Sequence, residues 1–214
     1  MKMKKLSVVL LSLLAAVMVL SGCGGGAQDN DSAESAENGA KNSDQAILIV
    51  SFGTSYNDSR DKTIGAIETA AAEAFPEYEV RRAFTSQIII DKLKERDNLE
   101  IDNVTEALDR AVADGIKTLI VQPTHLMNGL EYTDLKNELA GYSDSFEKIA
   151  LGEPLLTSDD DFQKVMNAIV AATIEYDDGE TAICFMGHGT EADSNQVYTK
   201  MQETLTAAGH KNYF

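Results

Sequence analysis

Three residues of the sequence combine metal-ligand or proton-transfer chemistry with a position in a loop: His125, Glu131 and His188. His188 stands between Gly187 and Gly189, directly after an apolar run. Neutral imidazole together with a carboxylate suits a divalent first-row metal such as Co²⁺, Fe²⁺, Ni²⁺ or Zn²⁺, and an incomplete ligand set leaves coordination positions open. The same groups could instead accept protons, because histidine titrates near neutral pH.

Each of these residues also has a simpler structural explanation. His188 could be a turn histidine that caps the following helix. Glu131 could act only by favouring a helix N-terminus electrostatically. His125 could be a buried histidine whose hydrogen bonds are satisfied beneath its loop. The sequence leaves these alternatives open, whereas His210 follows a predicted helix and is expected to be exposed to solvent.

The elements that must position these residues alternate between strands and helices from Ala46 onward. Apolar runs predict strands at 47–50, 118–121, 148–151 and 182–187. A short second strand is predicted at 77–82, and the opening of a sixth at 212–214. Segments between them predict helices, and three of these follow a residue suited to N-capping: Asp58 or Asn57, Asp102 or Asn103, and Ser158. This alternation is typical of an α/β fold with a mostly parallel, doubly wound sheet.

The run from Ala182 to Gly187 carries no charge, which predicts a strand buried on both faces. Open α/β sheets bind ligands beyond the carboxyl ends of their strands. Two of the loops there contain a glycine–threonine turn, SFGT and GHGT, and are predicted to line the same rim. The candidate pocket residues in the rim loops are Ser51, Gly53, Thr54, His125, Gly187 and Gly189.

The first 23 residues have the pattern of a lipoprotein signal peptide. Three lysines precede an apolar run from Leu6 to Leu20, which is shorter than the roughly 20 residues of a membrane span. The ending Leu-Ser-Gly-Cys resembles a lipobox, which implies lipid attachment at Cys23. The protein is therefore expected to be exported and anchored to the cell membrane on its periplasmic or extracellular face. Cys184 then has no disulfide partner and is expected to be a small buried hydrophobic residue.

Residues 24–45 contain no large apolar side chain and therefore cannot form a core. This composition predicts a flexible acidic, Gly- and Ser-containing tether before a folded domain at 46–214. The formal net charge is −17, and loss of the three leader lysines takes it to −20. Such a surface repels nucleic acid and anionic lipid headgroups, so membrane contact is expected through the lipid anchor only. The sequence leaves open whether the chain forms a homo-oligomer.

Several familiar motifs do not occur in the sequence. There is no P-loop and no GxGxxG after a strand, which leaves a nucleotide cofactor unsupported. There is no GxSxG, which weakens a hydrolase interpretation. CxxC and HExxH spacings are also absent, which argues against a structural zinc site or a zincin protease.

Five segments of the sequence together resemble one known family. In chain order they are VSFGTSYNDSRDKTI, RRAFTSQIIIDKLKERD, QPTHLMNGLEY, GEPLLTSDDDF and MGHGTE. They are similar to the anaerobic sirohydrochlorin cobaltochelatases, class II tetrapyrrole chelatases of early-insertion cobalamin synthesis. The resemblance covers essentially all of 46–214. It implies a chelatase fold of two similar α/β halves, with the tetrapyrrole held in the cleft between them.

The resemblance also implies an activity and the residues that perform it. The family inserts Co²⁺ into sirohydrochlorin without ATP or another cofactor, so the expected partners are a tetrapyrrole and a divalent metal. Its metal-contacting residues include the histidine of MGHG, which matches His188, and the glutamate of NGxEY, which matches Glu131. The leader resembles that of exported members, for which metal or haem handling has been considered. A surface-tethered metal- or haem-binding lipoprotein without chelatase turnover is therefore the alternative.

The sequence departs from the family pattern at its carboxyl end. The family continues beyond the equivalent of Phe214, and a further metal-binding histidine lies in that segment. No residue of this sequence, His210 included, matches that histidine. The second half of the fold is therefore expected to be incomplete, whether the sequence is a fragment or a short protein.

Overall fold

The computed structural model describes residues 44–214. The predicted signal peptide, Cys23 and the tether up to residue 43 lie outside these described residues. No helix within the described part is long and apolar enough to cross a membrane. The first strand begins at Gln45, one residue before the predicted start of the folded domain.

Four parallel strands form one sheet, as the alternation of strands and helices predicts. The order in the sheet is β2-β1-β3-β4, and the strands are β1 Gln45–Ser51, β2 Glu79–Phe84, β3 Thr118–Pro123 and β4 Lys148–Leu151. β1 pairs with β2 on one side and with β3 on the other, so that Leu48 lies opposite Arg81 and Val121. All side chains from Ala46 to Ser51 are buried, which explains the continuous apolar run of β1.

Helices connect these strands and continue beyond the sheet. They are α1 Asn57–Arg60, a π-helical turn at Asp61–Gly65, α2 Ala66–Ala74, α3 Gln87–Asp97, α4 Val104–Ala113, α5 Leu130–Ala140, α6 Asp159–Thr173 and α7 Gln196–Ala207, with 3₁₀ turns at Ile174–Tyr176 and Asp193–Asn195. Asn103 and Ser158 cap α4 and α6 as predicted, and each completes a capping box with the third residue of its helix. The predicted cap of α1 is wrong, since Tyr56 occupies that position without a side-chain bond.

The two faces of β1 enter separate apolar clusters. Leu48 and Val50 pack on one face with residues of α4 and α5, among them Leu108 and Leu135. Ile47 and Ile49 pack on the other face with Ala71 of α2. Helices therefore cover both sides of the sheet, which is the doubly wound arrangement that the sequence predicts.

The second strand lies two residues later than predicted. Ala83 and Phe84 are fully buried members of β2, whereas the sequence places them in the loop that follows. Arg81 and Arg82 interrupt the apolar pattern of this strand, but both form ion pairs. Arg81 pairs with Glu79 and Asp114, and Arg82 pairs with Glu68. These ion pairs stabilise two arginines within β2, and the missed residues are the two apolar ones that follow them.

The predicted fifth strand, 182–187, is wrong as a buried strand of the sheet. Ile183 forms one parallel bridge with Tyr213, and the backbone N–H of Phe185 donates to the carbonyl of Phe214 over 2.7 Å. This pair packs on α6 and α7 through Tyr213, Met166 and Leu205. Its outer side chains are uncovered: Met186 is 99% exposed, Phe185 is 45% exposed and Phe214 is 57% exposed.

Two further predictions about single residues are also wrong. Cys184 is exposed and not a buried hydrophobic residue, because the side of the two-stranded pair that it faces carries no covering element within the described residues. His210 is only partly exposed, because its ring packs against Tyr213 with ring centroids 5.3 Å apart.

The exposure of Cys184 can be tested by labelling. A maleimide added to the native protein is expected to modify Cys184 at a rate within about tenfold of the rate in denaturant, because no unfolding is required to reach an exposed thiol. Peptide mass spectrometry separates Cys184 from Cys23. Labelling that occurs only after denaturation would show that the segment is buried.

Candidate functional site

The exits of β1, β2 and β3 are tied together at one edge of the sheet. The backbone N–H of Thr85 donates to the carbonyl of Ser51 over 2.9 Å, and that of Thr124 donates to the carbonyl of Val50 over 2.9 Å. The Thr124 hydroxyl also donates to the Ser51 hydroxyl oxygen over 2.9 Å. Ser51 is only 1% exposed. It therefore joins two strand exits, and its role in a pocket stays a prediction.

Gly53 and Thr54 shape the loop that follows β1. Gly53 has φ = +98°, and a Cβ atom at this position would lie 2.6 Å from the Phe84 ring. Only glycine allows both this backbone conformation and this approach of the chain to the ring. Thr54 accepts a hydrogen bond from the backbone N–H of Tyr56 over 3.3 Å. These predicted pocket residues therefore have identifiable structural roles.

His125 lies in the loop after β3, and its imidazole has no partner. Both ring nitrogens are buried and make no hydrogen bond with any of residues 44–214. The main chain around it is fixed, because Leu155 and Leu156 donate backbone N–H groups to the carbonyls of His125 and Leu126 over 3.0 and 2.9 Å. Burial lowers the pKa of His125 below its ordinary value of 6.5, and the negative charge of Glu131 offsets part of this shift.

The simple explanation of His125 as a satisfied buried histidine is therefore wrong. An unsatisfied buried polar group costs about 1–3 kcal/mol, so two such nitrogens on one ring require a physical reason. The charge of the Glu131 carboxylate acts on this ring, and a shared role of the two residues in one site stays a prediction.

Glu131 lies in the first turn of α5 and is exposed. This position favours a carboxylate through the helix dipole, as the simpler explanation holds. Its carboxylate makes no hydrogen bond or ion pair with any described residue. Its Oε2 atom lies 3.6 Å from where a Cβ atom on Gly129 would be. Glu131 is therefore an unpaired acceptor beside the glycine turn that precedes α5.

A cavity of about 330 Å³ opens beside Glu131. Its walls come from the β1 and β2 exit loops, the start of α4 and one face of α5: Phe52, Phe84, Thr85, Asn103, Val104, Thr105, Glu131, Asp134, Leu135 and Glu138. Three of these residues are acidic and none is basic, so the cavity attracts cations and repels anions.

Sequence reasoning missed Asp134 and Glu138 as neighbours of Glu131. The spacing of the three acidic residues could have indicated this, because positions i, i+3 and i+7 of a helix lie on one face. Phe52, Thr85 and Asn103 carry no comparable signal, since three separate elements bring them to the cavity. Only the folded chain places them beside α5.

His188 is exposed in a loop without strand structure. Its Nδ1 atom lies 2.6 Å from the carbonyl oxygen of Gly189. A carbonyl can only accept, so Nδ1 carries the proton and the lone pair of Nε2 remains available to a metal. This contact is its only described hydrogen bond, so His188 does not cap the following helix, and that alternative is wrong.

The two glycines that flank His188 are each required by the local fold. A Cβ atom on Gly187 would overlap the ring of Tyr198, and Gly189 has φ = +75°. The next residue, Thr190, donates its backbone N–H to Asn195 over 3.1 Å. The GHG motif thus turns the chain sharply against α7 and presents the imidazole to solvent.

The structure does not assemble a complete metal centre from these side chains. Within residues 44–214, no three His, Cys, Asp or Glu side chains are grouped so that they could hold one metal ion. His188 is not among the residues that line the cavity beside Glu131. The predicted sharing of one ion by His188 and Glu131 therefore stays a prediction.

A parallel α/β sheet with an imidazole and a carboxylate at its strand exits defines a ligand-binding α/β protein with groups suited to a divalent cation. Comparison with protein families gives a narrower assignment. The family model described as Cobalt chelatase (CbiK) matches residues 45–214. The chain therefore belongs to the CbiK cobalt chelatase family.

Two curated relatives agree with this assignment. The sirohydrochlorin cobaltochelatase of Salmonella typhimurium is 36% identical over 163 residues, which are 76% of this chain and 61% of that protein. Sirohydrochlorin cobaltochelatase CbiKC of Nitratidesulfovibrio vulgaris is 30% identical over 156 residues, which are 72% of this chain and 55% of that protein. The chain spans less than two thirds of the length of either relative.

The buried imidazole of His125 predicts a pH-dependent stability. Its folded-state pKa is lowered, so the unfolded chain takes up the proton first as the pH falls through about 6.5. The free energy of unfolding is therefore expected to decrease below this pH. Urea unfolding at pH 7.5 and 5.5 should show a larger decrease for the native protein than for His125→Gln. Equal decreases would show that His125 does not contribute.

Proposed function

We propose that this protein inserts Co²⁺ into sirohydrochlorin without ATP or another cofactor. The observation that carries the proposal is its similarity to two sirohydrochlorin cobaltochelatases along most of the described domain, together with its membership of the cobalt chelatase family. The unpaired Glu131 carboxylate and the free Nε2 of His188 are ligands suited to Co²⁺.

Insertion exchanges two protons for one metal ion. Co²⁺ forms bonds to the pyrrole nitrogens, and the two pyrrole N–H groups of the ring release their protons. In this proposal His188 and Glu131 hold the metal ion before transfer, and a neighbouring histidine or carboxylate accepts the protons. The protein contributes mainly by holding ring and metal at insertion distance and in the required orientation.

The absence of a fixed cofactor follows from this chemistry. No electron is transferred, and Co²⁺ is a substrate of the reaction, not a resident group. Imidazole and carboxylate also accept Fe²⁺, Ni²⁺ and Zn²⁺, so the choice of metal depends on supply as well as on ligand type. The proposed partners are therefore one tetrapyrrole and one divalent cation.

Substitution of the two proposed ligands tests the function. His188→Ala and Glu131→Gln are each expected to lower the rate of Co²⁺ insertion into sirohydrochlorin by at least about tenfold, since even a group that only supports a metal ligand contributes about 10–100-fold. The absorption spectrum of the macrocycle follows the reaction. His210→Ala is the matched histidine control and should retain the rate.

Two results would contradict this proposal. One is an insertion rate for the native protein that does not exceed the protein-free rate. The other is an unchanged rate in both ligand variants. Stoichiometric Co²⁺ or haem binding without insertion would favour a metal- or haem-binding lipoprotein instead.

We also propose that the protein is exported and held on the membrane surface by lipid at Cys23. The basic start, the apolar run from Leu6 to Leu20 and the Leu-Ser-Gly-Cys ending support this proposal. Cys23→Ser is expected to move most of the protein from the membrane fraction to the soluble fraction, because acyl chains provide the anchoring energy. Cys184→Ser is the control, and equal partitioning of both variants would refute the lipid anchor.

A further inference from the structure

We propose that Arg96 is a positioning residue for the tetrapyrrole, because it holds the loop after β1 in the shape that presents two aromatic side chains to the ring. The loop consists of residues 52–57, and Arg96 lies near the end of α3. The proposal rests on the proposed function, since that function supplies the flat ring as a substrate. It concerns the binding of the ring and assigns no role in binding the metal.

The loop after β1 exposes two aromatic side chains at the edge of the sheet where the strands end. Phe52 is 53% exposed and Tyr56 is 74% exposed. Three further large apolar side chains are exposed in the segments that follow β2 and β3: Ile88, Leu126 and Leu130. Exposed apolar side chains on one edge of a sheet indicate a contact surface, and aromatic rings suit the flat face of a macrocycle.

Helix α3 holds this loop at both ends. At the start of the helix, the backbone N–H of Ser86 donates to the carbonyl of Phe52 over 3.2 Å. Near its end, the Nη2 group of Arg96 donates to the carbonyl of Ser55 over 2.6 Å and to the Oδ1 atom of Asn57 over 3.0 Å. The first contact is a bond between backbone groups, whereas the second depends on the arginine side chain.

Asn57 joins Arg96 to a second arginine, which is buried. The Oδ1 atom of Asn57 also accepts from Nη1 of Arg60 over 3.0 Å, and Arg60 is only 9% exposed. Asp97 balances the charge of Arg96 by accepting from its Nε group over 2.7 Å. Because a guanidinium group presents its donors in fixed directions, this network fixes the start of α1 together with the loop.

The contacts of Arg96 lie at the surface and outside the apolar core. Its side chain is 42% exposed, and its bonds to the loop end on a main-chain carbonyl and a side-chain amide. Loss of this side chain therefore leaves the core packing in place but lets residues 52–57 adopt other conformations. A loop that must become ordered when a ligand binds lowers the affinity, because the ordering costs free energy.

The test measures binding of sirohydrochlorin to the full 214-residue chain without Co²⁺, by titration of the macrocycle's absorption. Arg96→Ala is expected to raise the Kd about tenfold, since the loop is then ordered only on binding. Arg96→Lys should give an intermediate Kd, because an ammonium group does not reproduce the geometry of a guanidinium. Lys94→Ala is the matched control and should keep the native Kd, since Lys94 lies on the same helix and pairs with Glu100 over 3.1 Å.

A second substitution tests whether Arg96 acts through the loop. Asn57→Ala removes one of the two acceptors and is also expected to raise the Kd for sirohydrochlorin. The double variant Asn57→Ala, Arg96→Ala should bind little more weakly than Arg96→Ala alone, because both residues form the same contact. Fully additive effects would show that Arg96 does not act through Asn57 and would count against the proposal.

Kinetic measurements separate a positioning role from a loss of folded protein. In Arg96→Ala, the KM for sirohydrochlorin should rise about tenfold, while kcat and the KM for Co²⁺ stay within about twofold of the native values. A partly unfolded variant would instead show a lower apparent kcat with an unchanged KM, because fewer molecules are active. That result would overturn the proposal.

The outcomes for this proposal and for the proposed function are distinguishable. A native Kd for sirohydrochlorin in folded Arg96→Ala would overturn the positioning role, even if the native protein inserts Co²⁺. A raised Kd in Arg96→Ala, together with no insertion by the native protein, would support the positioning role and refute the chelatase proposal. A native protein that does not bind sirohydrochlorin would overturn both.

Discussion

Parallel pairing of β1 with both β2 and β3 is the constraint on which the site depends. It brings three strand exits to one edge, where backbone bonds from Thr85 and Thr124 hold them together. Because β1 is buried from Ala46 to Ser51, this edge cannot shift without exposing the core. His125 and Glu131 are thus positioned by a rigid sheet, although both belong to the segment that follows a strand.

The sequence predicts elements that satisfy their own local interactions. β1, β3 and β4, the caps Asn103 and Ser158, and most helices depend on apolar periodicity and on bonds within a few residues. These patterns are local, so the elements that depend on them can be predicted from the sequence. The bounds of β2 are harder to predict, because its pairing with β1 decides that the strand runs from Glu79 to Phe84 and not from Glu77 to Arg82.

The site shows the same division. Imidazole, carboxylate and glycine types predict His125, Glu131 and the GHG turn as site residues, and the family resemblance implies metal contact for Glu131 and His188. The lack of hydrogen-bond partners for His125 cannot be predicted from the sequence, because it depends on which side chains the folded loop places around the ring. The burial of 182–187 is also mispredicted, since an uncharged run does not specify whether another element covers it.

The uncovered pair formed by Ile183–Phe185 and Asn212–Phe214 has a consequence for solution behaviour. The backbone groups of Cys184 and Met186 have no partner among the described residues, and exposed apolar side chains flank them. Such a border can template any extended chain that reaches it. Mutual repulsion between molecules of charge −17 opposes this contact at long range. Added salt screens the repulsion and leaves the short-range attraction, so ionic strength sets the colloidal stability of the protein.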